Sequence, residues 1–315
     1  MEVIVPFAFS LALVLLLVPA VRRVALETGF FDKPTGRKIH SRPIPLMGGA
    51  AIFAGAVISL LLFEGWTNLS QTIVYGGAAL VVTGLVDDWH KSRGLEFPVW
   101  PRLLIYSAVS AIPLVYGIEI SGISRLIGGG MHMFPEILVI VGTMLWVFAF
   151  INMINFIDGL DGLASGISAI SSTTLLIVAV WSGQRDSALL AAVLAGACIA
   201  FLAFNFHPAK IFMGDAGATF LGYALAVLAI EGAFKSATVV SVLVPVFALG
   251  VPIMDTVFVF TRRFLERRGL HKADKLHTHH SLMKSGLSHR QTVSFLYLIG
   301  TVFSLVSIIL MLVIR

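Results

Sequence analysis

The sequence predicts an all-α integral membrane protein: a polytopic bundle of about ten transmembrane helices forming a single domain over residues 1–315. Three observations carry this. Mean hydropathy is +0.94, with 57% hydrophobic and only 12% charged residues, which excludes two ordinary soluble domains. Apolar stretches recur at the length of about twenty residues that a helix needs to cross a hydrocarbon layer of roughly 30 Å. The basic residues then gather on alternate connections between those stretches. Helices alone suit these lengths, because each backbone amide in hydrocarbon must bond within its own segment.

The stretches run near 4–26, 45–63, 71–87, 100–117, 135–154, 162–181, 187–205, 215–232, 237–261 and 291–314. The first opens with Glu2 and carries Arg22 and Arg23 behind it, the reverse polarity of a cleavable signal, so it reads as a mature span whose N-terminus faces out. An even count puts both termini outside. Of the 22 Lys and Arg residues, 18 then fall on one side, leaving Arg125, Arg185, Lys235 and Arg315 on the other; the positive-inside bias makes the rich side cytoplasmic. External connections such as Glu64–Ser70, Ser182–Asp186 and the stretch around Gly128–Gly130 suggest no chemistry. The formal charge of +5 follows from this sidedness and calls for no nucleic-acid partner. Cys198 is the single cysteine and can form no intrachain disulfide. No internal repeat or paired halves are visible.

The polar motifs collect on the basic side. Gly84-Leu85-Val86-Asp87-Asp88 reads as a turn ending the third span with adjacent carboxylates, which repel unless a divalent cation or a shared proton relieves them; two solvated loop aspartates are the plainer reading. Asn152, Asn155, Asp158 and Asp161, with Gly159 and Gly162, interrupt an otherwise apolar segment at a depth where ionisable groups are costly and usually functional. Asn155 and Asp158 share a face if the helix continues through them. Asn205 opens a third motif that ends Phe212-Met213-Gly214-Asp215 at the start of the eighth span, where Asp215 could be no more than an N-cap and Phe212 no more than interfacial packing. The last loop carries Arg262, Arg263, Arg267 and Arg268, then His277-Thr278-His279-His280. Those histidines lack partner cysteines and regular ligand spacing, which weighs against zinc. Histidine donors and arginine forks suit phosphate instead. Carboxylates for a hard cation beside cations for phosphate point to phosphoryl transfer at the cytoplasmic surface.

Pro45-Leu46-Met47-Gly48-Gly49, Gly84–Asp88, Asn155–Gly162, Phe212–Asp215 and His277–His280 together resemble, in order and over nearly the whole chain, the polyprenyl-phosphate N-acetylhexosamine-1-phosphate transferases. The interrupted histidine run, followed by Ser288-His289-Arg290-Gln291, is similar to the WecA/TagO branch using UDP-N-acetylglucosamine; the MraY branch, which takes a muramyl-pentapeptide nucleotide, typically has three consecutive histidines. The resemblance implies transfer of N-acetylglucosamine-1-phosphate to undecaprenyl (polyprenyl) phosphate with release of UMP, supported by Mg²⁺ or Mn²⁺, as the first membrane step of an envelope glycan in a bacterial inner membrane. It implies that Asn155 and Asp215 bind the metal with Asp88 or Asp87 nearby, and that Asp87 and Asp88 handle the lipid phosphate. Asp158, His277, His279 and His280 complete the catalytic set. Asn205, Phe212, Gly159 and Asp161 resemble the uridine pocket, and Arg263 an arginine for the UDP-sugar; Asp255 also matches the branch without a role. Pro245, Gly250 and Pro252 predict a kink in the ninth span that opens a groove for the lipid tail. A cation-coupled transporter is the reading from another class. The sequence sets no oligomeric state, a homodimer included.

Overall fold

The computed structural model describes residues 2–32, 43–95, 97–124, 131–233, 240–265 and 277–313. Arg267, Arg268, Arg125, Lys235, Arg315 and the Gly128–Gly130 stretch lie outside the described residues.

In chain order the helices are α1 (Ile4–Thr28), α2 (Gly48–Glu64), α3 (Asn68–Ser92), α4 (Val99–Ser110), α5 (Ile112–Val115), α6 (Glu136–Ile157), α7 (Leu163–Trp181), α8 (Arg185–Asn205), α9 (Gly214–Ala233), α10 (Val240–Ala248), α11 (Gly250–Leu265), α12 (Thr278–Lys284) and α13 (His289–Val313). The chain is a polytopic membrane bundle. Seven helices, α1, α3, α6, α7, α8, α9 and α13, are long and apolar enough to cross a membrane. The other three expected spans coincide with α2, of 17 residues, and with two broken segments, α4–α5 and α10–α11. Among the described residues, length and composition thus pick out seven candidate crossings, and the count of about ten is not confirmed by them. The break in the ninth segment falls at Leu249, beside Gly250 and between Pro245 and Pro252, where proline rings remove helix hydrogen bonds. Two small antiparallel strand pairs, unforeseen in the sequence, lie in the connections: β1 (Phe31–Asp32) with β2 (Ile44–Pro45), and β3 (Gly122–Ser124) with β4 (Met131–Met133).

The bundle is built around α9. Within the most apolar window of each helix, 94% of α9 is buried, against 22% of α1 and 28% of α13. Hydrocarbon gives helices no hydrophobic reason to associate, so small residues that permit close van der Waals approach decide which helix sits inside. α9 reads GDAGATFLGYALAVLAIEGA, and at Gly222 a Cβ would stand 2.4 Å from the Phe150 carbonyl of α6. The outer helices keep Leu16, Leu145 and Leu298 exposed, as side chains facing lipid require.

Backbone contacts fix the start of α9 between α2 and α3. Gly49 N–H donates to the Met213 carbonyl at 2.9 Å, Gly48 N–H to the Phe212 carbonyl at 3.0 Å, and Phe212 N–H to the Pro45 carbonyl at 2.8 Å. A Cβ at Gly49 would lie 2.1 Å from Gly217 N, and one at Gly84 would lie 2.3 Å from Ala216 Cα. The glycines of two motifs are thus points of backbone-to-backbone contact that bring the acidic residues of α3 and α9 together.

Candidate active site

A cavity of about 1190 Å³ opens at one end of the bundle. Its wall takes Arg22 and Leu26 from the end of α1, Asp88 and Lys91 from the end of α3, Asp158 to Asp161 after α6, and Asn205 from the end of α8. Residues 207–210 and Phe212 follow, with Gly214 and Asp215 opening α9, His280, Met283 and Lys284 on α12, and His289 opening α13. Residues separated by about 200 positions in the chain share this wall because alternate helices start and stop at the same end.

The Gly84–Asp88 motif is not a turn. α3 continues to Ser92, so Asp87 and Asp88 are buried helical residues, and the helix supplies Lys91 four residues after Asp87. Lys91 Nζ lies 2.7 Å from Asp215 Oδ2 and 3.3 Å from Asp87 Oδ2, while Arg102 of α4 reaches the same two oxygens at 3.7 and 3.1 Å. Asp88 faces the other way along α9, accepting from Asp215 N–H at 3.1 Å and Ala216 N–H at 3.4 Å. The cap of α9 therefore comes from α3: Asp88 satisfies the free amides of the first turn and leaves the Asp215 side chain to the cation pair and to Asn155. A carboxylate at a helix start is also the favourable charge there.

The second acidic motif ends α6 instead of extending it. Asp158 is the C-cap, with its N–H on the Asn155 carbonyl at 3.3 Å, and Gly162 at φ +81° starts α7 in a backbone conformation that suits glycine. Burial pushes the Asp158 carboxyl well above the usual carboxylate range, and the negative charges of Asp215 and Asp88 add to this. Asp161 Oδ2 accepts from His207 Nδ1 at 2.8 Å and from Ala209 N–H at 3.1 Å. Asn205 lines the cavity by its edge only. Its Oδ1 accepts from Gly162 N–H at 3.0 Å and Ser165 Oγ at 2.9 Å, and its Nδ2 donates to the Ile211 carbonyl at 3.0 Å, so the amide latches the α6–α7 loop to the segment before α9.

The histidine motif divides. It begins α12, a helix absent from the sequence expectation, and only His280 of the three lines the cavity. His277 donates from Nδ1 to Asp255, and His279 is buried against Gly159, where an added Cβ would stand 2.6 Å from its Nε2. Burial, then the neighbouring His280, pushes the His279 imidazole down to about 3, so it is a neutral packing group at physiological pH. The zinc reading finds no support: among the described residues, the group of three possible ligands whose atoms lie within 4.8 Å of one another is Asp161, His207 and His289, not the histidine motif. Arg263 sits on the last turn of α11 and does not line the cavity.

The His279 environment sets a pH dependence. The unfolded chain binds a proton at the ordinary value of 6.5 and the folded chain resists it down to about 3, so this contribution to stability is complete above 6.5 and is lost as pH falls towards 3. His279→Asn is expected to reduce the loss of thermal stability between pH 7 and 5, at a slope of up to about 1.4 kcal/mol per pH unit. Thermal melts of both forms in detergent read the difference in slope; equal slopes would place the His279 proton elsewhere.

The sequence profile of glycosyl transferase family 4 matches residues 70–233, the segment holding Asp87, Asp88, Asp158 and Asp215. Over 311 residues, 98% of this chain and 85% of the relative, the chain is 38% identical to a "Probable undecaprenyl-phosphate N-acetylglucosaminyl 1-phosphate transferase" of Bacillus subtilis (strain 168). The chain belongs to glycosyl transferase family 4. It is also 32% identical, over 88% of its length and 74% of the relative's, to the "Decaprenyl-phosphate N-acetylglucosaminephosphotransferase" of Mycolicibacterium smegmatis. A Yersinia pestis "Undecaprenyl-phosphate alpha-N-acetylglucosaminyl 1-phosphate transferase" is 27% identical over 98% and 83%. The resemblance carried by the five motifs is borne out at the level of the family. This family 4 transferase places all five motifs on the cavity wall, Gly84–Asp88 through Asp88 alone and His277–His280 through His280 alone. Sequence reasoning gave no site role to Lys91, Arg102, His207, Lys210, Lys284 or His289. Lys91 had a readable signal, its four-residue spacing from Asp87, but was counted only among the basic residues of a loop.

Proposed function

We propose that this chain transfers N-acetylglucosamine-1-phosphate from UDP-N-acetylglucosamine to undecaprenyl (polyprenyl) phosphate at the cytoplasmic face of a bacterial membrane, releasing UMP. The observation that carries the reading is the charge layout: carboxylates of Asp87, Asp88, Asp158 and Asp215 gathered around Lys91 and Arg102 at the floor of a cavity large enough for a nucleotide sugar. Four acidic groups against two cations leave an excess of acidic oxygens; burial first, and then the charges of Asp215 and Asp88, raise the Asp158 carboxyl. An oxygen-rich site with that excess fits Mg²⁺, with Mn²⁺ as a substitute, and Asp215 and Asn155, with Asp88 or Asp87 nearby, are the groups that would hold it. Such an ion supplies neutralisation of the pyrophosphate and of the departing UMP.

The rest falls to the chain. A terminal oxygen of the lipid phosphate attacks the β-phosphorus, the bond to the UMP oxygen breaks, and UMP leaves with the electron pair. A phosphate monoester is largely dianionic near neutral pH, with a second pKa of about 6, so Asp87 and Asp88 act through placement more than through proton removal. Lys91 and Arg102 brace Asp87 and Asp215, whose side chains also hydrogen-bond to each other, and keep the pair oriented. Phe212, Gly159 and Asp161 border the nucleoside, and His280, Lys210 and Lys284 offer donors to phosphate and sugar oxygens. The break between α10 and α11 is the proposed path of the lipid tail.

The assay is UMP release by the purified chain in detergent with Mg²⁺ and polyprenyl phosphate. UDP-N-acetylglucosamine is expected to support release, and UDP-N-acetylgalactosamine and the muramyl-pentapeptide nucleotide at most weakly. Preference for the muramyl nucleotide would move the chain to the other branch. No lipid-dependent release from any donor would end the transferase assignment of the cavity.

A further inference from the structure

Asp255 has no part in the reading above, yet it is a buried carboxylate in α11 with both oxygens engaged. Its Oδ2 lies 2.7 Å from His277 Nδ1 and its Oδ1 lies 2.7 Å from the backbone N of Thr278. A carboxylate only accepts at neutral pH, so His277 must carry its proton on Nδ1. Thr278 is the first residue of α12, whose opening amide has no partner within the helix and finds one in Asp255. Along the same short helix, His279 rests on Gly159, and His280, Met283 and Lys284 reach the cavity.

We propose that Asp255 is a positioning residue: its carboxylate pins the start of α12 and fixes the His277 tautomer, and so sets where His280 and Lys284 stand against the substrate. The proposal rests on the cavity being the UDP-sugar site. α12 has seven residues, too few to hold a helix by itself, so its place depends on such anchors. A buried carboxylate whose hydrogen-bond partners are the first residue of α12 and the residue before it costs more to leave unpaired than to keep paired, which makes the anchor two-sided.

Two measurements separate this from simple support of the fold. In ¹⁵N-histidine spectra of the detergent-solubilised chain, one Nδ1–H resonance is expected to vanish in His277→Gln. Asp255→Asn, which presents an amide N–H where the carboxylate accepted, is expected to switch that same histidine to the Nε2–H form. This readout needs no substrate and stands even if the donor assignment fails. In the transfer assay, Asp255→Ala is expected to lower kcat/KM for the nucleotide sugar by about 100-fold, the scale of a displacement near 1 Å in a positioned group. Asp255→Glu should recover part of that loss. Combined with Lys284→Ala, the Asp255→Ala loss should be much less than additive, because Lys284 is already displaced. An unchanged His277 tautomer in Asp255→Asn, or fully additive losses with an unaltered KM, would overturn the proposal.

Discussion

Asp215→Asn is expected to lower sugar-phosphate transfer by about a thousandfold or more while the chain still folds, a loss of about 4 kcal/mol of transition-state stabilisation. The size follows from what Asp215 touches. Its carboxylate is the meeting point of Lys91, Arg102, Asp87 and Asn155, and under the proposed function it would hold the divalent cation at the start of α9. The asparagine keeps the shape and an acceptor oxygen but removes the charge that both cations and the metal would share. Folding survives because the backbone amides of Asp215 and Ala216 remain on Asp88, and Lys91 retains Asp87. Steady-state transfer rates across Mg²⁺ concentration, with a melt as the control on folding, read this directly. A loss below tenfold with ordinary Mg²⁺ dependence would remove Asp215 from the centre of the site.

Gly49→Ala and Gly84→Ala are expected to damage the protein by a different route, through the packing of α9. In each, the added methyl meets backbone atoms, at 2.1 Å from Gly217 N and 2.3 Å from Ala216 Cα. A flexible side chain could move aside; a helix start held by three backbone hydrogen bonds to the Pro45–Gly49 segment cannot do so without losing them. Overpacking of a well-filled core commonly costs about 1–3 kcal/mol, and contact with rigid backbone belongs at or beyond the upper end. The expected result is reduced thermal stability, together with loss of transfer greater than the loss of folded protein, because Asp88 and Asp215 are separated. Gly142→Ala is the comparison, since nothing lies within 4 Å of a Cβ there and alanine favours helix. If all three variants melt and turn over alike, the close approach of α2, α3 and α9 is not what holds the site.

The bundle was legible in the sequence because hydropathy and positive charge report directly on lipid and sidedness. Span ends were less so. α3 runs on past the apolar stretch to Ser92, since a helix can continue wherever its polar residues find partners, and Asp87 finds Lys91. Hydropathy could not see this, and so Asp87 and Asp88 read as a turn. The acidic members of the site were recognisable because an aspartate in an apolar context is expensive and stands out. The histidine motif stood out equally, but composition could not tell His280, on the cavity wall, from His279, packed on Gly159. The roles of Asn205 and Asp255 were hidden for a related reason: each acts through partners distant in the chain, Gly162 and Ser165 for one, His277 and Thr278 for the other. The glycines of Pro45–Gly49 signalled a close approach without saying to what; the answer, the backbone of Met213 to Gly217, is a property of the packed helices.

Lys210 and Lys284 stand on the same cavity wall although they come from the segment before α9 and from α12. The single native cysteine, Cys198, is buried in α8, so cysteines placed at these two positions would be the accessible thiols. Lys210→Cys and Lys284→Cys, each reacted with a membrane-impermeant maleimide in inside-out and right-side-out vesicles, should both label from the inside-out face alone. UDP-N-acetylglucosamine with Mg²⁺ should slow both reactions. Labelling from opposite faces, or protection of neither position, would contradict a single cytoplasmic cavity that binds the nucleotide sugar.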